Sequence, residues 1–183
     1  PLPRCARNLD GVVLNFGLLD FADFSGVRLG EASFQAAQLD HARFVRSTLV
    51  SSRFSSIAND AVQPPFGPNA MLPYQPTRLV GTDFSLADIE GSDFSGVQAV
   101  GTNFDGAAIF NTRFSGAFLL ASTFRNAILY EVDFTGADLT KADFDGWMEQ
   151  RGSKFFSTWD KAYTPMIATF DKVQDPQTKA LHL

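Results

Sequence analysis

Residues 127–146 read Ala127-Ile128-Leu129-Tyr130-Glu131-Val132-Asp133-Phe134-Thr135-Gly136-Ala137-Asp138-Leu139-Thr140-Lys141-Ala142-Asp143-Phe144-Asp145-Gly146. A bulky apolar residue stands at every fifth position, Leu129, Phe134, Leu139 and Phe144, with a small residue two places before each. Neither common element has that period, since helices repeat near 3.6 residues and strands near 2. A chain that buries every fifth residue must turn a corner every five. Each corner then sends one large and one small side chain inward. Stacked turns of this kind build a solenoid whose layers lie ~4.8 Å apart, the strand spacing of a sheet.

The beat extends well beyond this stretch. From Leu9 to Phe54 and from Leu79 to Phe144 it marks 24 positions, of which 23 are Leu, Ile or Phe and only Ala99 departs. The residue two before each is Ala, Ser, Thr, Gly or Val at 23 of the 24, Arg7 being the exception. Ten of the 14 glycines, Gly11, Gly26, Gly81, Gly91, Gly96, Gly101, Gly106, Gly116, Gly136 and Gly146, fall two places after a centre. That is where a corner needs the positive φ that glycine adopts without strain.

The strings Ala137-Asp138-Leu139-Thr140-Lys141 and Ala142-Asp143-Phe144-Asp145-Gly146 match the A(D/N)LXX pattern, and the chain resembles the pentapeptide-repeat family over residues 7–56 and 77–146, about two-thirds of its length. The resemblance implies an all-β solenoid, a right-handed four-sided β-helix with four pentapeptides to a coil of twenty residues. After a Leu-only start, Phe alternates with Leu or Ile. In a four-sided coil that places Phe on two opposite sides and Leu or Ile on the other two. Phe84, Phe104, Phe124 and Phe144 then form one internal ladder, and Phe94, Phe114 and Phe134 the opposite one. Such a core explains 19 phenylalanines against 3 tyrosines and 2 tryptophans, because a buried hydroxyl or indole N–H would need a partner there. The periodicity accounts for the rings without a ligand pocket.

Three segments break the beat. Residues 1–6 form an N-terminal tail, Pro1-Leu2-Pro3-Arg4-Cys5-Ala6, with neither Met nor a signal-peptide core, as expected of a trimmed chain. Residues 57–76 carry five prolines, which forbid regular ladder pairing. This stretch is expected to leave the solenoid as a long loop packed by Phe66, Met71, Leu72 and Tyr74, with twenty residues either replaced or inserted. In 147–183, Phe155, Phe156, Trp159 and Tyr163 have helical spacing. Thr164-Pro165 suits the start of a second helix, and Met166, Ile167, Phe170 and Val173 suit its apolar face. A C-terminal α-helical cap over the last coil is the expectation, with homodimerisation through the same segment as the alternative.

Composition excludes several function classes. There is one cysteine and there are two histidines, His41 and His182, so neither an internal disulfide nor a His-rich metal site is expected, and no cofactor is implied. No run approaches the roughly 18 apolar residues of a membrane span. A formal net charge of −5 argues against wrapping nucleic acid. There is no nucleophile elbow, phosphate loop or zinc-protease motif. Asp83, Asp88, Asp93, Asp133, Asp138 and Asp143 follow the repeat, just before each centre, which suits corner hydrogen bonding. An acid–base pair needs a cleft, which a filled rod lacks, so no enzyme is expected.

Function is then sought on the outside. Beside the Phe centres the outward residues are polar: Asp83, Ser85, Asn103, Asp105, Asp143 and Asp145 on one side, Asp93, Ser95, Arg113, Ser115 and Asp133 on the other. Beside the Leu centres they are apolar. Val80, Val100 and Leu120 recur at twenty-residue spacing with Phe118 alongside, and Phe110, Ile128 and Tyr130 cluster opposite. Contiguous exposed apolar patches mark interaction sites. The expectation is a non-catalytic scaffold or accessory subunit that docks on a larger protein assembly. The resemblance adds a chloroplast, thylakoid or cyanobacterial setting, with a role near photosynthesis, and bacterial cytoplasm as the alternative. It also brings a second function, mimicry of DNA that binds gyrase or topoisomerase. That needs continuous negative charge, and here Arg28, Arg43, Arg46, Arg53, Arg78, Arg113 and Arg125 interrupt it.

Overall fold

The computed structural model describes residues 7–56, 76–145 and 148–149. Each five-residue unit is a short extended piece followed by a tight turn. In most corners the N–H three places after a centre donates back to the centre's carbonyl, as from Ala107 to Phe104 O at 3.1 Å. The residue two after the centre has positive φ, which with that bond is the geometry of a type II turn. From residues 11 to 51 and 81 to 141 every such corner lies between +49° and +72°, nine at glycine and thirteen at other residues. Each non-glycine corner carries roughly 1–2 kcal/mol of left-handed strain.

The interlayer ladder offsets that strain. On each side the centre's N–H points to one neighbouring layer and that of the residue before it to the other. Phe84 N–H donates to Asn103 O at 2.7 Å, and Asp83 N–H donates to Ala42 O at 3.0 Å. The result is four columns of parallel pairing at a twenty-residue step, running through Asn8, Val13, Leu18 and Asp23 and their successors. On one side the pairing is regular enough to form strands. These are β1 (Thr48–Val50), β2 (Asp88–Glu90), β3 (Ala108–Phe110), β4 (Ile128–Tyr130) and β5 (Met148–Glu149), in a parallel sheet of order β1-β2-β3-β4-β5. The architecture is the expected right-handed four-sided β-helix.

The core is one large side chain per side per layer. Phe24, Phe44, Phe84, Phe104, Phe124 and Phe144 stack along one side at 4.7–5.1 Å between centroids. Phe34, Phe54, Phe94, Phe114 and Phe134 stack along the opposite side at 4.6–5.2 Å. Across the rod the two ladders meet edge to face, as Phe104 and Phe114 do at 5.5 Å and 86°. Offset stacking and edge-to-face contact are both favoured by the ring quadrupole. Leu or Ile closes the other two sides, with Ala99 in the Leu79–Leu119 column. The small inward residues close the gaps, and where they are Ser or Thr the hydroxyl donates to a centre carbonyl, one layer down for Thr102 Oγ1 on Leu79 O at 2.6 Å and within its own layer for Ser47 Oγ on Phe44 O at 2.7 Å.

The chain's pairing decides what the Pro-rich stretch does. Gln38 pairs with Arg78, Arg43 with Asp83, Thr48 with Asp88 and Arg53 with Asp93, a step of forty where every other pair steps twenty. Phe54 stacks directly on Phe94 at 4.6 Å. The solenoid therefore loses no layer: twenty residues are inserted between Ser56 and Thr77, and none of the coil is replaced. Thr77 Oγ1 donates to Ser55 O at 3.4 Å and accepts from Ala36 N–H at 2.8 Å, which fastens the rejoining chain to the layer it left. At the far end β5 carries the sheet into Met148–Glu149, within the segment expected as a helical cap. The cap's helices from residue 150 on, the loop residues Phe66, Met71, Leu72 and Tyr74, and the tail with Cys5 lie outside the described residues.

The core and the corners yield three stability predictions. Phe104 is fully buried between two stacked and two edge-on rings, so Phe104→Ala should cost about 3–5 kcal/mol in chemical denaturation. Ala121 holds φ +56°, so Ala121→Gly should raise stability by about 0.5–1 kcal/mol, the relief of strain exceeding the entropy glycine adds to the unfolded chain. The reverse change at Gly101, where φ is +65° and a Cβ would meet nothing within 4 Å, should lower stability by a similar amount.

Candidate interaction surfaces

The fold sorts each repeat into inward centres and outward flanks, so a candidate site can only be built from flanks and corners. Many flanks are committed to the backbone. Asp83, Asp93, Asn103, Asp133 and Asp143 on the Phe sides, and Asp138 on a Leu side, each accept the N–H of the residue two places on, at 2.8–3.0 Å, closing Asx turns. Others reach between layers, as where Asn103 Nδ2 donates to Asp83 Oδ1 at 3.1 Å. These carboxylates lie on a convex surface and hold the corners in shape. Among the described residues no group of three or more His, Cys, Asp or Glu side chains converges on a metal-sized point.

The Leu sides carry the apolar flanks where the spacing places them. Val80, Val100 and Leu120 sit in successive layers, half-buried, with Gly81 N–H bonded to Val100 O and Gly101 N–H to Leu120 O, each at 2.9 Å. Phe118 stands on the same side, 49% exposed, on the pairing column Gln98–Phe118–Asp138. The structure thus brings these four together. On the opposite side Phe110 of β3 pairs with Tyr130 of β4, ring centroids 6.2 Å apart and tilted 46°. Ile128 lies on the same strand as Tyr130, and all three are half-buried. The seven residues therefore form two patches on opposite sides of the rod, not one site. The Pro-rich loop and the C-terminal helices, the alternative covers for these sides, lie outside the described residues.

One corner shows how glycine serves packing as well as turning. His41 stacks on Phe21 at 5.3 Å, and its Nδ1 comes within 2.7 Å of where a Cβ on Gly81 would sit. The imidazole fills the space that Gly81 leaves open. His41 is exposed there, at the corner its spacing indicated.

Sequence reasoning missed the most exposed apolar group. Among the described residues, Leu9, Val13, Phe16, Leu18 and Phe21 all belong to the first layer. Only Leu86 and Phe118 are comparably exposed elsewhere. The signal was present: Val13 and Leu18 stand just before centres and Phe16 and Phe21 at corners, all outward positions.

Among the described residues no helix is long and apolar enough to cross a membrane. The sequence model of a family described as pentapeptide repeats matches residues 18–55, 77–106 and 107–146, in eight copies. No curated protein matches the chain. Solved structures similar to it include HetL, a pentapeptide repeat protein involved in heterocyst differentiation regulation from the cyanobacterium Nostoc sp. strain PCC 7120. The identity is 17% over 79% of this chain and 75% of that one, with a TM-score of 0.34. A pentapeptide repeat protein from the Arabidopsis thaliana thylakoid lumen is 22% identical over 78% of this chain and 73% of its own, with a TM-score of 0.27. Trypsin-treated QnrB1, a plasmid-mediated fluoroquinolone resistance protein, is 20% identical over 79% of this chain and 86% of its own, with a TM-score of 0.31.

On the polar sides the electrostatics can be tested directly. The Asp145 backbone N–H, at 2.9 Å, holds the Asp143 carboxyl below its ordinary value against the opposing pull of partial burial, and Arg125 adds to the lowering through an Nε donor at 2.7 Å. A lowered carboxyl contributes stability that is full above its unfolded pKa and lost as pH falls through the folded value. Arg125→Gln should raise the Asp143 pKa part of the way back, read by carboxyl NMR titration. The variant should be slightly less stable at neutral pH and converge with wild type once Asp143 is protonated in both.

Proposed function

The chain belongs to the pentapeptide-repeat family, and from that premise we propose that it is a non-catalytic interaction scaffold, an accessory subunit that docks on a larger protein assembly through the Leu sides of the rod. The observation that carries this reading is the contrast between sides. Polar side chains flanking the Phe centres are spent on Asx turns and interlayer bonds, whereas the side chains of Phe118, Leu120, Phe110 and Tyr130 flank the Leu-side centres as exposed or half-buried apolar groups. Contiguous apolar groups of this kind on an otherwise polar surface are the usual mark of a protein partner.

A chloroplast, thylakoid or cyanobacterial setting is part of this reading, and proteins that co-purify from the native source test it. Mimicry of DNA for gyrase or topoisomerase is less well supported, because the charge alternates. Arg43, Arg53, Arg78 and Arg113 each pair in the ladder with an aspartate or a polar residue, and Asp143 is neutralised by Arg125.

The test is affinity capture of the tagged chain from its source, with wild type compared to Phe118→Asp/Leu120→Asp and to Phe110→Asp/Tyr130→Asp. At least one double variant should keep wild-type thermal unfolding and lose its captured partner by tenfold or more. Equal capture by both folded variants would sink the reading. Recovery of gyrase or topoisomerase insensitive to these changes would instead favour the acidic sides.

A further inference from the structure

We propose that the Leu side carrying the sheet docks a basic, amphipathic α-helix of a partner protein. The proposal rests on the docking reading above and names the partner's chemistry for one of its two patches. Ala108 and Phe110 flank the centre of β3, Ile128 and Tyr130 that of β4, and all four are half-buried. The sheet register sets Ala108 beside Ile128 and Phe110 beside Tyr130. Leu86, 50% exposed at the adjoining corner, leans into the same group. Its Cδ2 comes within 2.7 Å of where a Cβ on Gly106 would sit, so the bare glycine lets it reach the next layer. A contiguous apolar group of this size on a polar surface marks a site of interaction.

The rim of this group decides the sign of the partner's charge. Asp88 and Glu90, the outward flanks of β2, border it below, and Glu131 stands at the corner beside Tyr130. All three are exposed, and among the described residues none of them is in an ion pair. On this side and its two corners, residues 86–91, 106–111 and 126–131 include no Lys or Arg. The neighbouring cations stand off it. Arg46 lies at the corner one layer below Leu86, and Arg125, round the corner, is bonded to Asp143 through Nε at 2.7 Å. The opposite Leu side has no such bias, since Arg78, Asp138 and Lys141 mix the signs there. An apolar group rimmed by one sign of charge selects a partner of the other sign.

The backbone decides the partner's shape. β3 is paired on both edges, with β2 below and β4 above. Ala108 N–H donates to Ala87 O and Phe110 O accepts from Gly91 N–H, both at 2.9 Å. No strand can therefore add here, and the partner must bind through side chains alone. Strands of three residues make the side about 10 Å wide, and two layer steps make the group about 10 Å long. That area takes two turns of a helix, whose apolar anchors fall at i, i+3, i+4 and i+7. Lys or Arg beside those anchors then meets Asp88 and Glu90 at one end and Glu131 along one edge.

The test is binding of a fluorescently labelled Leu–Lys peptide of about 15 residues, long enough for a helix, with Leu at i, i+3, i+4 and i+7. Fluorescence anisotropy with the full chain should show saturable binding that weakens as salt rises. Asp88→Asn/Glu90→Gln/Glu131→Gln should raise the dissociation constant at least tenfold and flatten the salt dependence. All three residues are exposed, so thermal unfolding of this variant should match wild type. Phe110→Ser/Tyr130→Ser should weaken binding by a similar factor, and Phe118→Ser on the opposite side should leave it unchanged. A wild-type chain that does not bind the peptide would overturn the proposal. So would equal binding of a peptide with the same Leu and Lys scrambled out of helical register, which would show attraction to charge alone, or equal binding of a Leu–Glu helix. A native partner lost from Phe110→Asp/Tyr130→Asp but kept by the three-carboxylate variant also overturns it and leaves the docking reading standing. A partner kept by both double variants of the capture experiment sinks that reading itself.

Discussion

Four large side chains meet in each layer of the rod, one from each side, and the ring contacts along and across the layers leave no room between them. That packing works only if every layer is in register with the next. The register in turn depends on corners that recur every five residues without drift. A single dihedral does this: the positive φ two places after each centre. Glycine supplies it without strain at nine of the described corners. At thirteen others, including His41, Leu86 and Lys141, the ladder and the stacked core hold a residue where it would not rest alone. The corner is thus the local constraint, and the core is what enforces it.

Polar groups follow the same logic. A tight corner strands backbone N–H groups that no strand can reach, and the aspartates and asparagines just before the centres take them up. The carboxylates that look like a catalytic store are therefore largely occupied with holding turns. A filled core and committed carboxylates leave the outer Leu sides as the places where chemistry is free to be recognition. This is a property of narrow solenoids: the interior is too thin for a cavity, so function moves to the surface.

Much of this was legible in the sequence. The beat at Leu129, Phe134, Leu139 and Phe144 names which residues face inward, and the alternation of Phe with Leu separates the two ring ladders. The outward apolar residues Val80, Val100, Phe118 and Leu120, and Phe110, Ile128 and Tyr130, could be grouped from their twenty-residue spacing, and the structure groups them the same way. The exposed first layer was not legible in practice. Val13, Phe16, Leu18 and Phe21 belong to no twenty-residue column of apolar residues. Their adjacency arises only because one coil wraps all four sides of a layer.

What the sequence alone determined is what repeats: the period, the inward register, the corner glycines and the composition of each side. These are local, because one five-residue unit already dictates its own turn and its own inward side chain. What only the tertiary structure decided is which units become neighbours. The step of forty between Phe54 and Phe94 shows an insertion and not a missing layer, and five prolines in a row of twenty residues could not distinguish the two. Pairing between layers is made by backbone groups that every residue carries alike, so the letters of the sequence do not record it.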